Sequence, residues 1–439
     1  MSAGVAVCHA GEKPEVIVTV DYFDSVYFRT PQNLDCGPDY IRNLTADLAK
    51  HGATAIVVRL SAGGLFEYKS ALSYPVQDFD VRHVDRMLKL FTKVDGLNDV
   101  EKFKKQRVEA HTRFGELLDE FDPRREFVKS GHAAGLKVIL WMDIFDDGYP
   151  GYRSKFIEQN PECVWTSRSG FRHPAVISYA FEKSRQFRVD HARELLDAGA
   201  DGVYLSMSAH SRHFYLKDDP GEFGYEAPVA EIYRRYTGRD LLHDKQLDRR
   251  LWHHIKGEFM TRFYERIADE CHRRAQPREC WVGMQLGTHT NLTTDGNYTG
   301  PPRITYENQW EYLTDHGIAD ALILADYEHV DLFAHPRATR YWQNKNIPAK
   351  TESEVYAWAG RNYRRRTGKT PLYVWGNVTS SKLADQTGNY ARMIRSSGFD
   401  GMMMHEARDF EVGGMRWLQK FSQLVAPSRS TGPRSANSP

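Results

Sequence analysis

The chain has 439 residues, and its 59 basic and 58 acidic side chains leave a formal net charge of +1. This balance argues against a protein that binds nucleic acid through a strongly basic face. The five cysteines are scattered without a CxxC pair, so neither a disulfide framework nor a structural zinc site is expected. No apolar run approaches the ~18 residues of a membrane span, so no membrane helix is expected.

Eight apolar runs follow one another along the chain, and each leads into polar side chains. Near-continuous apolar runs of this kind are typical of strands that are buried on both faces, as in a parallel sheet. The runs are VIVTVDYF (16–23), ATAIVVRLSAGG (53–64), LKVILWMDIF (136–145), DGVYLSMSAH (201–210), CWVGMQLGTH (280–289), DALILADYEH (320–329), PLYVWGNV (371–378) and DGMMMHEARD (400–409). Helical patterns separate them, and several end in glycine shortly before the next strand. Eight strand–helix units predict an α/β fold, the (β/α)8 or TIM barrel.

The barrel is predicted to be a single domain over residues 15–426, between a flexible N-terminus (1–14) and a disordered tail (427–439) of low hydrophobicity. Two long loops are expected, over 65–122 after strand two and 211–248 after strand four. Because long loops at the C-terminal face of a barrel usually shape a cleft, we expect 213–238 to cover it and Tyr225 to contact a ligand.

Polar residues at the strand ends are the candidate site, because the active site of this fold lies at the C-terminal ends of its strands. Buried strands rarely carry charged groups unless those groups are paired or functional. The candidates at or just after strand ends are Asp21, Arg59, Asp143, His210, Gln285, Asp326, Tyr327, Glu328, Trp375, His405 and Glu406. The alternatives are that Asp21 and Arg59 form a salt bridge at the barrel mouth and that Asp143 caps a helix.

Carboxylates among aromatic side chains point to carbohydrate chemistry. One carboxyl group can protonate the leaving oxygen while a second acts as nucleophile or activates water, and aromatic faces stack on sugars. We assign Glu406 as the general acid because it follows a methionine strand, Asp326 as nucleophile or base, and Asp143 as the reserve catalytic residue. Strands six and eight are not neighbours, which favours the longer separation of about 6.5–9.5 Å and inversion.

The remaining candidates are predicted to bind the substrate: Asp21, Arg59, Tyr68, His210, Tyr225, Gln285, Tyr327, Glu328, Trp375 and His405. The sequence has no HExxH pattern, no glycine-rich dinucleotide motif after a strand and no GxSxG motif. No metal or cofactor is therefore predicted.

The stretches ATAIVVRLSAGGLFEYKS, REFVKSGHAAGLKVILWMDIFDD, NPECVWTS and DGVYLSMSAHSRH occur in an order that resembles the glycosyl hydrolase-like proteins related to family 10. The resemblance extends from Val16 to about Leu424 and implies a (β/α)8 fold and hydrolysis of sugar chains. It also implies catalytic glutamates at the ends of strands four and seven. Here those ends hold Ser206 to Ser208 and Trp375 to Asn377, so that catalytic pair does not transfer to this chain.

The leading hypothesis is thus a glycoside hydrolase that acts on an oligo- or polysaccharide through paired carboxylates at the rim. One alternative is a sugar-binding barrel without catalysis, which the missing glutamates favour. Another is a lyase or isomerase of a sugar acid, with Arg59 binding a carboxylate and His405 or Tyr327 as base. The expected partner is a carbohydrate, without nucleic acid or membrane, and a homo-oligomer is compatible with the sequence. Because no signal peptide pattern is present, a cytoplasmic location is expected unless a leader has been removed.

Overall fold

The computed structural model describes residues 14–79, 83–85, 88, 99–149, 152–207, 221–284, 298–299, 304–324 and 352–426. Eight parallel strands close into a barrel in which each strand pairs with the next along the chain, and the eighth pairs with the first. The strands are β1 Glu15–Asp21, β2 Ala55–Arg59, β3 Lys137–Asp143, β4 Gly202–Ser206, β5 Glu279–Met284, β6 Ala321–Leu324, β7 Leu372–Asn377 and β8 Gly401–His405. The predicted TIM barrel is confirmed.

Several of the helices that surround the barrel begin at recognisable caps. Asp122 and Asp248 accept hydrogen bonds from backbone N–H groups in the first turns of α4 and α8, and such caps satisfy donors that have no partner within the helix. The helices are α1 Tyr22–Arg29, α2 Pro38–Lys50, α3 Val100–Glu120, α4 Pro123–Ala133, α5 Lys155–Gln159, α6 Glu182–Leu196, α7 Ala227–Thr237, α8 Arg249–His272, α9 Trp310–Asp315, α10 Glu352–Thr367, α11 Leu383–Ser397, α12 Ala407–Gly413 and α13 Arg416–Val425. None of the helices in the described ranges is long and apolar enough to cross a membrane.

The two long connections contain more regular structure than the sequence predicted. The segment after β2 includes α3, a helix of 21 residues, and the segment after β4 includes α7. Short two-stranded sheets add to the connections: Ser61–Ala62 with Leu65–Phe66, Gly148–Tyr149 with Tyr152–Arg153, Val164–Thr166 with Arg172–Ile177, and Tyr298–Thr299 with Tyr306–Glu307. The terminal segments that were predicted to be flexible lie outside the described residues, except for Pro14.

A repeated hydrogen bond joins the strands in pairs at the N-terminal end of the barrel. In each pair, the acceptor is the side chain of the residue just before an even-numbered strand. The donor is the backbone N–H of the first or second residue of the preceding odd-numbered strand. The pairs are Thr54 with Val16 (3.0 Å), Asp201 with Val138 (2.8 Å), Asp320 with Cys280 (2.7 Å) and Asp400 with Leu372 (2.7 Å). Each bond satisfies a backbone donor at the start of a strand.

Two of these aspartates precede a glycine, and the structure shows why. A Cβ atom on Gly202 would lie 2.3 Å from the carbonyl oxygen of Glu279, and one on Gly401 would lie 2.3 Å from that of Glu15. A side chain at either position would therefore push neighbouring strands apart. The Asp-Gly pairs before β4 and β8 combine a donor-satisfying carboxylate with the close backbone approach that only glycine allows.

Aromatic and sulfur-containing side chains fill the barrel. Met402, Met403 and Met404 of β8 are all buried, as predicted for a strand that is covered on both faces. Trp141 of β3 contacts Trp375 of β7 in an edge-to-face arrangement with ring centroids 5.4 Å apart. Since β3 and β7 lie on opposite sides of the barrel, this contact places both indoles in its interior. The apolar interior supports the polar side chains that lie above it.

Candidate active site

Six of the predicted site residues are located at the C-terminal mouth of the barrel. Asp21, Arg59 and Asp143 are the last residues of β1, β2 and β3, and His405 is the last residue of β8. Trp375 lies near the end of β7, and Glu406 directly follows β8. The other predicted residues at strand ends, His210, Gln285, Asp326, Tyr327 and Glu328, lie outside the described residues.

Asp21 and Arg59 form a buried ion pair, as one of the two sequence interpretations expected. The Arg59 guanidinium contacts Oδ2 of Asp21, and both side chains are at most 5% exposed. Asp21 Oδ1 also accepts the backbone N–H of Asp24 (3.2 Å) and so caps α1. Arg59 additionally approaches the ring of Trp141, with 5.4 Å between its Cζ atom and the ring centroid. Each oxygen of Asp21 is therefore already engaged within the protein.

Three carboxylates crowd together beside this ion pair. Oxygen atoms of Asp21, Asp24 and Glu406 all lie within 4.8 Å of one another. This spacing would suit a divalent cation, but Arg59 already supplies positive charge to Asp21, and an acidic cluster alone is not evidence of a metal site. We therefore assign them no metal.

Burial controls the protonation of this cluster. It raises the pKa of Glu406 well above its ordinary value, and the negative charges of Asp21 and Asp24 add to that effect. It also raises the pKa of Asp21 to about 6, even though the Arg59 charge acts in the opposite direction. Burial and the neighbouring carboxylates therefore favour the protonated form of Glu406, whereas Asp21 with a pKa of about 6 is largely ionised at neutral pH.

Glu67 belongs to the same cluster, although the sequence did not single it out. It follows the short hairpin after β2, and its backbone N–H donates to the carbonyl of Leu60 (2.8 Å). Its carboxyl group is buried, and Oε2 has no hydrogen-bond partner among the described residues. Burial, followed by the charge of Asp21, raises its pKa well above the ordinary value. The available signal was a single carboxylate within the otherwise apolar stretch GLFEY.

A small cavity adjoins Glu67. Its volume is about 30 Å³, and one half of its lining is polar or charged (Asp24, Arg59, Glu67, Arg107 and His111) while the other half is apolar. A space of this size with several polar groups around it can hold a water molecule. The cavity connects the carboxylate cluster with α3, which carries Arg107 and His111.

Aromatic rings form the floor of the mouth. The ring of His405 lies 5.1 Å from that of Trp375 and 6.1 Å from that of Trp141. Both indoles donate to a polar side chain two residues further along the same strand: Trp141 to Asp143 (2.7 Å) and Trp375 to Asn377 (3.1 Å). These bonds hold Asp143 and Asn377 at the mouth.

Two expectations from the sequence gain no support here. Asp143 does not cap the next helix, because Ser154 caps α5. Trp375 is only 2% exposed, so it belongs to the floor and does not offer an open ring face to a sugar. Its predicted role in substrate binding is thereby limited to shaping the floor.

The structure lends no support to the predicted substrate-binding roles of Tyr68 and Tyr225, which stay predictions. Tyr68 is 3% exposed, and the Arg124 guanidinium covers its ring with 3.9 Å between Cζ and the ring centroid. Tyr225 is 8% exposed and packs against Trp252 (4.8 Å between centroids) in an apolar cluster of α7 and α8. Neither ring face is available to a ligand, because both rings are packed inside the protein. Burial of a large aromatic ring stabilises the fold more than its exposure would.

Comparison with known proteins supports the fold. No protein-family model and no curated protein sequence matches the chain. Among solved structures, the chain is similar to the catalytic domain of a β-amylase from Paenibacillus polymyxa, with 10% identity, a TM-score of 0.50, and 94% of this chain and 97% of that chain covered. It is also similar to a β-galactosidase from the Antarctic haloarchaeon Halorubrum lacusprofundi, with 9% identity, a TM-score of 0.51, and 94% of this chain and 57% of that chain covered.

These neighbours are TIM-barrel domains of glycoside hydrolases. At such low identity the similarity shows the fold alone, because one barrel fold hosts many unrelated activities. The resemblance to family 10 in particular stays a prediction.

Proposed function

We propose that this protein is a glycoside hydrolase that cleaves an oligo- or polysaccharide at the C-terminal mouth of the barrel. The observation that carries the proposal is the position of Glu406, a buried carboxyl group beside Asp21 and Asp24 above a floor of aromatic rings. Glycosidic bond cleavage requires a protonated carboxyl group and a second carboxylate in one cleft. The mouth of this barrel has an excess of carboxylates.

In the proposed mechanism Glu406 is the general acid. Burial and the two neighbouring carboxylates raise its pKa, so that it holds a proton which it can give to the oxygen of the leaving sugar. We propose Asp326, which follows β6, as the nucleophile or the base that activates water. Asp143 is the reserve for that role, and the indole of Trp141 fixes it at the end of β3.

Substrate binding is proposed for the remaining residues predicted at the rim: Arg59, Asp21, His210, Gln285, Tyr327, Glu328 and His405. Asp21 and Arg59 are held by each other, so they form a rigid wall of the site. That pairing also argues against a sugar-acid lyase or isomerase, because such an enzyme would need Arg59 free to bind a carboxylate of the substrate.

A sugar-binding barrel without catalysis is the second candidate. The observation that favours it is the composition of two strand ends: β4 ends at Ser206 and β7 at Asn377. Barrel glycosidases that resemble the family 10 group place their catalytic glutamates at these positions. If this chain has lost that pair without replacing it, it would bind sugars and release no product.

The test is to screen the protein against a library of oligo- and polysaccharides and to analyse both binding and products. New reducing ends that disappear in the Glu406→Gln variant would support the hydrolase. Unsaturated products would indicate a lyase, and binding without any product would indicate the sugar-binding protein. The hydrolase is refuted if Glu406→Gln and Asp326→Asn both leave the rate on a confirmed substrate unchanged.

A further inference from the structure

His405 lies between a fixed hydroxyl group and the proposed general acid. Its Nδ1 atom is 2.8 Å from Thr19 Oγ1, and its Nε2 atom is 3.6 Å from Glu406 Oε2. Thr19 is fully buried in the middle of β1, so its hydroxyl group has little freedom to move. The rings of Trp375 and Trp141 confine the imidazole further. The side chains of β1 and β8 thus fix the direction in which each ring nitrogen points.

We propose that His405 is a positioning residue for Glu406: its Nδ1–H group donates a hydrogen bond to Thr19 Oγ1, and its unprotonated Nε2 accepts a hydrogen bond from the carboxyl proton of Glu406. The inference rests on the proposed function only in naming this proton as the one that passes to the leaving oxygen. Thr19 has no role in the proposed mechanism otherwise.

The choice of tautomer follows from the chemistry at the two ends of the imidazole. A threonine hydroxyl both donates and accepts, so Thr19 is compatible with either tautomer. A protonated carboxyl group is more selective, since its O–H needs an acceptor. Only the tautomer with the proton on Nδ1 presents a lone pair to Glu406. A separation of 3.6 Å exceeds a hydrogen bond, but catalytic hydrogen bonds are often long before substrate binds.

The charges around Glu406 are consistent with this tautomer. Asp21 and Asp24 approach from β1 and α1, Arg59 from β2, and Asp409 from α12. Burial and the three carboxylates favour the protonated form, and Arg59, which contacts Asp21, opposes them. When Glu406 gives its proton to the leaving oxygen, its carboxylate faces the lone pair of Nε2. That contact is unfavourable and promotes uptake of a new proton from water.

The test uses the full chain and needs no substrate. Two-bond ¹H–¹⁵N correlations of ¹⁵N-histidine report which ring nitrogen of His405 carries the proton. A pH titration of ¹³C-labelled glutamate carboxyl groups reports the pKa of Glu406, whose signal is identified by its loss in Glu406→Gln. For the wild-type protein we expect the proton on Nδ1 of His405.

The matched variants are Thr19→Val and Thr19→Ser. Thr19→Val keeps the shape of the side chain and removes the hydroxyl group that accepts from Nδ1. The imidazole proton should then move to Nε2, and the Nε2–H group should donate a hydrogen bond to the Glu406 carboxylate. The titration of Glu406 should then move down by about one pH unit, the order expected for one hydrogen bond to the charged form. Thr19→Ser retains the hydroxyl group and should behave as the wild-type protein.

Two results would overturn the inference. One is a proton on Nε2 of His405 in the wild-type protein, a measurement that requires no variant to fold. The other is a Glu406 titration that stays unchanged in Thr19→Val. Because neither readout depends on turnover, both remain valid if the protein proves to hydrolyse no sugar.

Discussion

The two ends of the barrel interior carry similar charged side chains in very different surroundings. At the C-terminal mouth, Asp21, Glu67 and Glu406 are all at most 7% exposed beside the guanidinium of Arg59. At the N-terminal end, Lys137 Nζ lies 2.9 and 3.2 Å from the two carboxylate oxygens of Glu279, and both side chains are about one-third exposed. The mouth is nearly closed to solvent and rich in carboxylates, whereas the Lys137–Glu279 pair at the other end is partly exposed. Burial also raises the pKa of Glu15 at the N-terminal end, where the charge of Lys137 opposes that effect.

The difference is the one that the proposed function requires between the two ends. At the N-terminal end, burial lowers the pKa of Lys137, but Glu279 together with the charges of Glu15 and Asp201 outweighs this effect, and the net shift is upward. The charged form is therefore stabilised, as in an ordinary ion pair. At the mouth, burial dominates the pKa of Glu67 and Glu406 and favours their protonated forms. Carboxyl groups with such altered pKa values are frequent at functional sites.

The largest expected difference between the two ends is in turnover, and removing one carboxylate from each end tests it. Glu406→Gln should lower turnover of a confirmed substrate by about two orders of magnitude or more, the usual size of a lost general acid, while sugar binding and the fold are retained. Glu279→Gln at the N-terminal end should leave turnover unchanged within a factor of about two, because a lost exposed ion pair costs only ~1 kcal/mol of stability. Equal losses of kcat in the two variants would remove the functional distinction.

The next effect concerns the stability of the mouth. Arg59→Met removes the cation beside Asp21 and should lower the free energy of unfolding by about 3–5 kcal/mol at pH 8, where Asp21 would be left as a buried, uncompensated charge. At pH 5 the loss should be clearly smaller, because Asp21 can then take up a proton. Chemical denaturation at both pH values measures this. A loss that does not depend on pH would show that Arg59 acts through packing alone.

A smaller effect of opposite sign is expected for Glu67→Gln. The folded-state pKa of Glu67 is raised, so its protonated form favours the fold at low pH, and that contribution is lost as the pH rises through the folded-state pKa. Glutamine stays neutral throughout. The melting temperature of the variant should equal that of the wild-type protein at pH 4 and exceed it by a few degrees at pH 8. A lower melting temperature at pH 8 would mean that the Glu67 carboxylate is stabilised by groups at the mouth.

The sequence predicted the mouth better than it predicted the segments that cover it. Asp21, Arg59 and Asp143 end consecutive parallel strands, and the fold alone brings such ends together. Glu67 lies beyond a tight hairpin, and the sequence does not fix the direction in which a side chain points after such a turn. The helix α3 was missed although Phe114, Leu117 and Leu118 follow a helical spacing, because its first ten residues, VEKFKKQRVE, are mostly charged or polar and contribute no buried position.

The burial of Tyr68 and Tyr225 was not foreseen for a related reason. Both were assigned to the substrate because aromatic residues in post-strand loops suit sugar binding. Their burial depends on partners that are distant in sequence: Arg124 covers the first ring and Trp252 the second. Local patterns do not encode such contacts. The composition of a loop therefore did not tell whether an aromatic ring in it binds a ligand or packs inside the protein.

The smallest predicted effect tests the N-terminal end by itself. A double-mutant cycle of Lys137→Met and Glu279→Gln should give a coupling energy of about 1 kcal/mol or less, because both side chains are partly exposed and water screens their attraction. High salt should reduce the coupling further, since exposed charges are screened most strongly. The same cycle at the mouth, with Arg59→Met and Asp21→Asn, should give a larger coupling that salt changes little, because that pair is buried. Two couplings of equal size and equal salt dependence would mean that the two ends differ in exposure without differing in energetics, and the assignment of chemistry to the mouth would lose its physical basis.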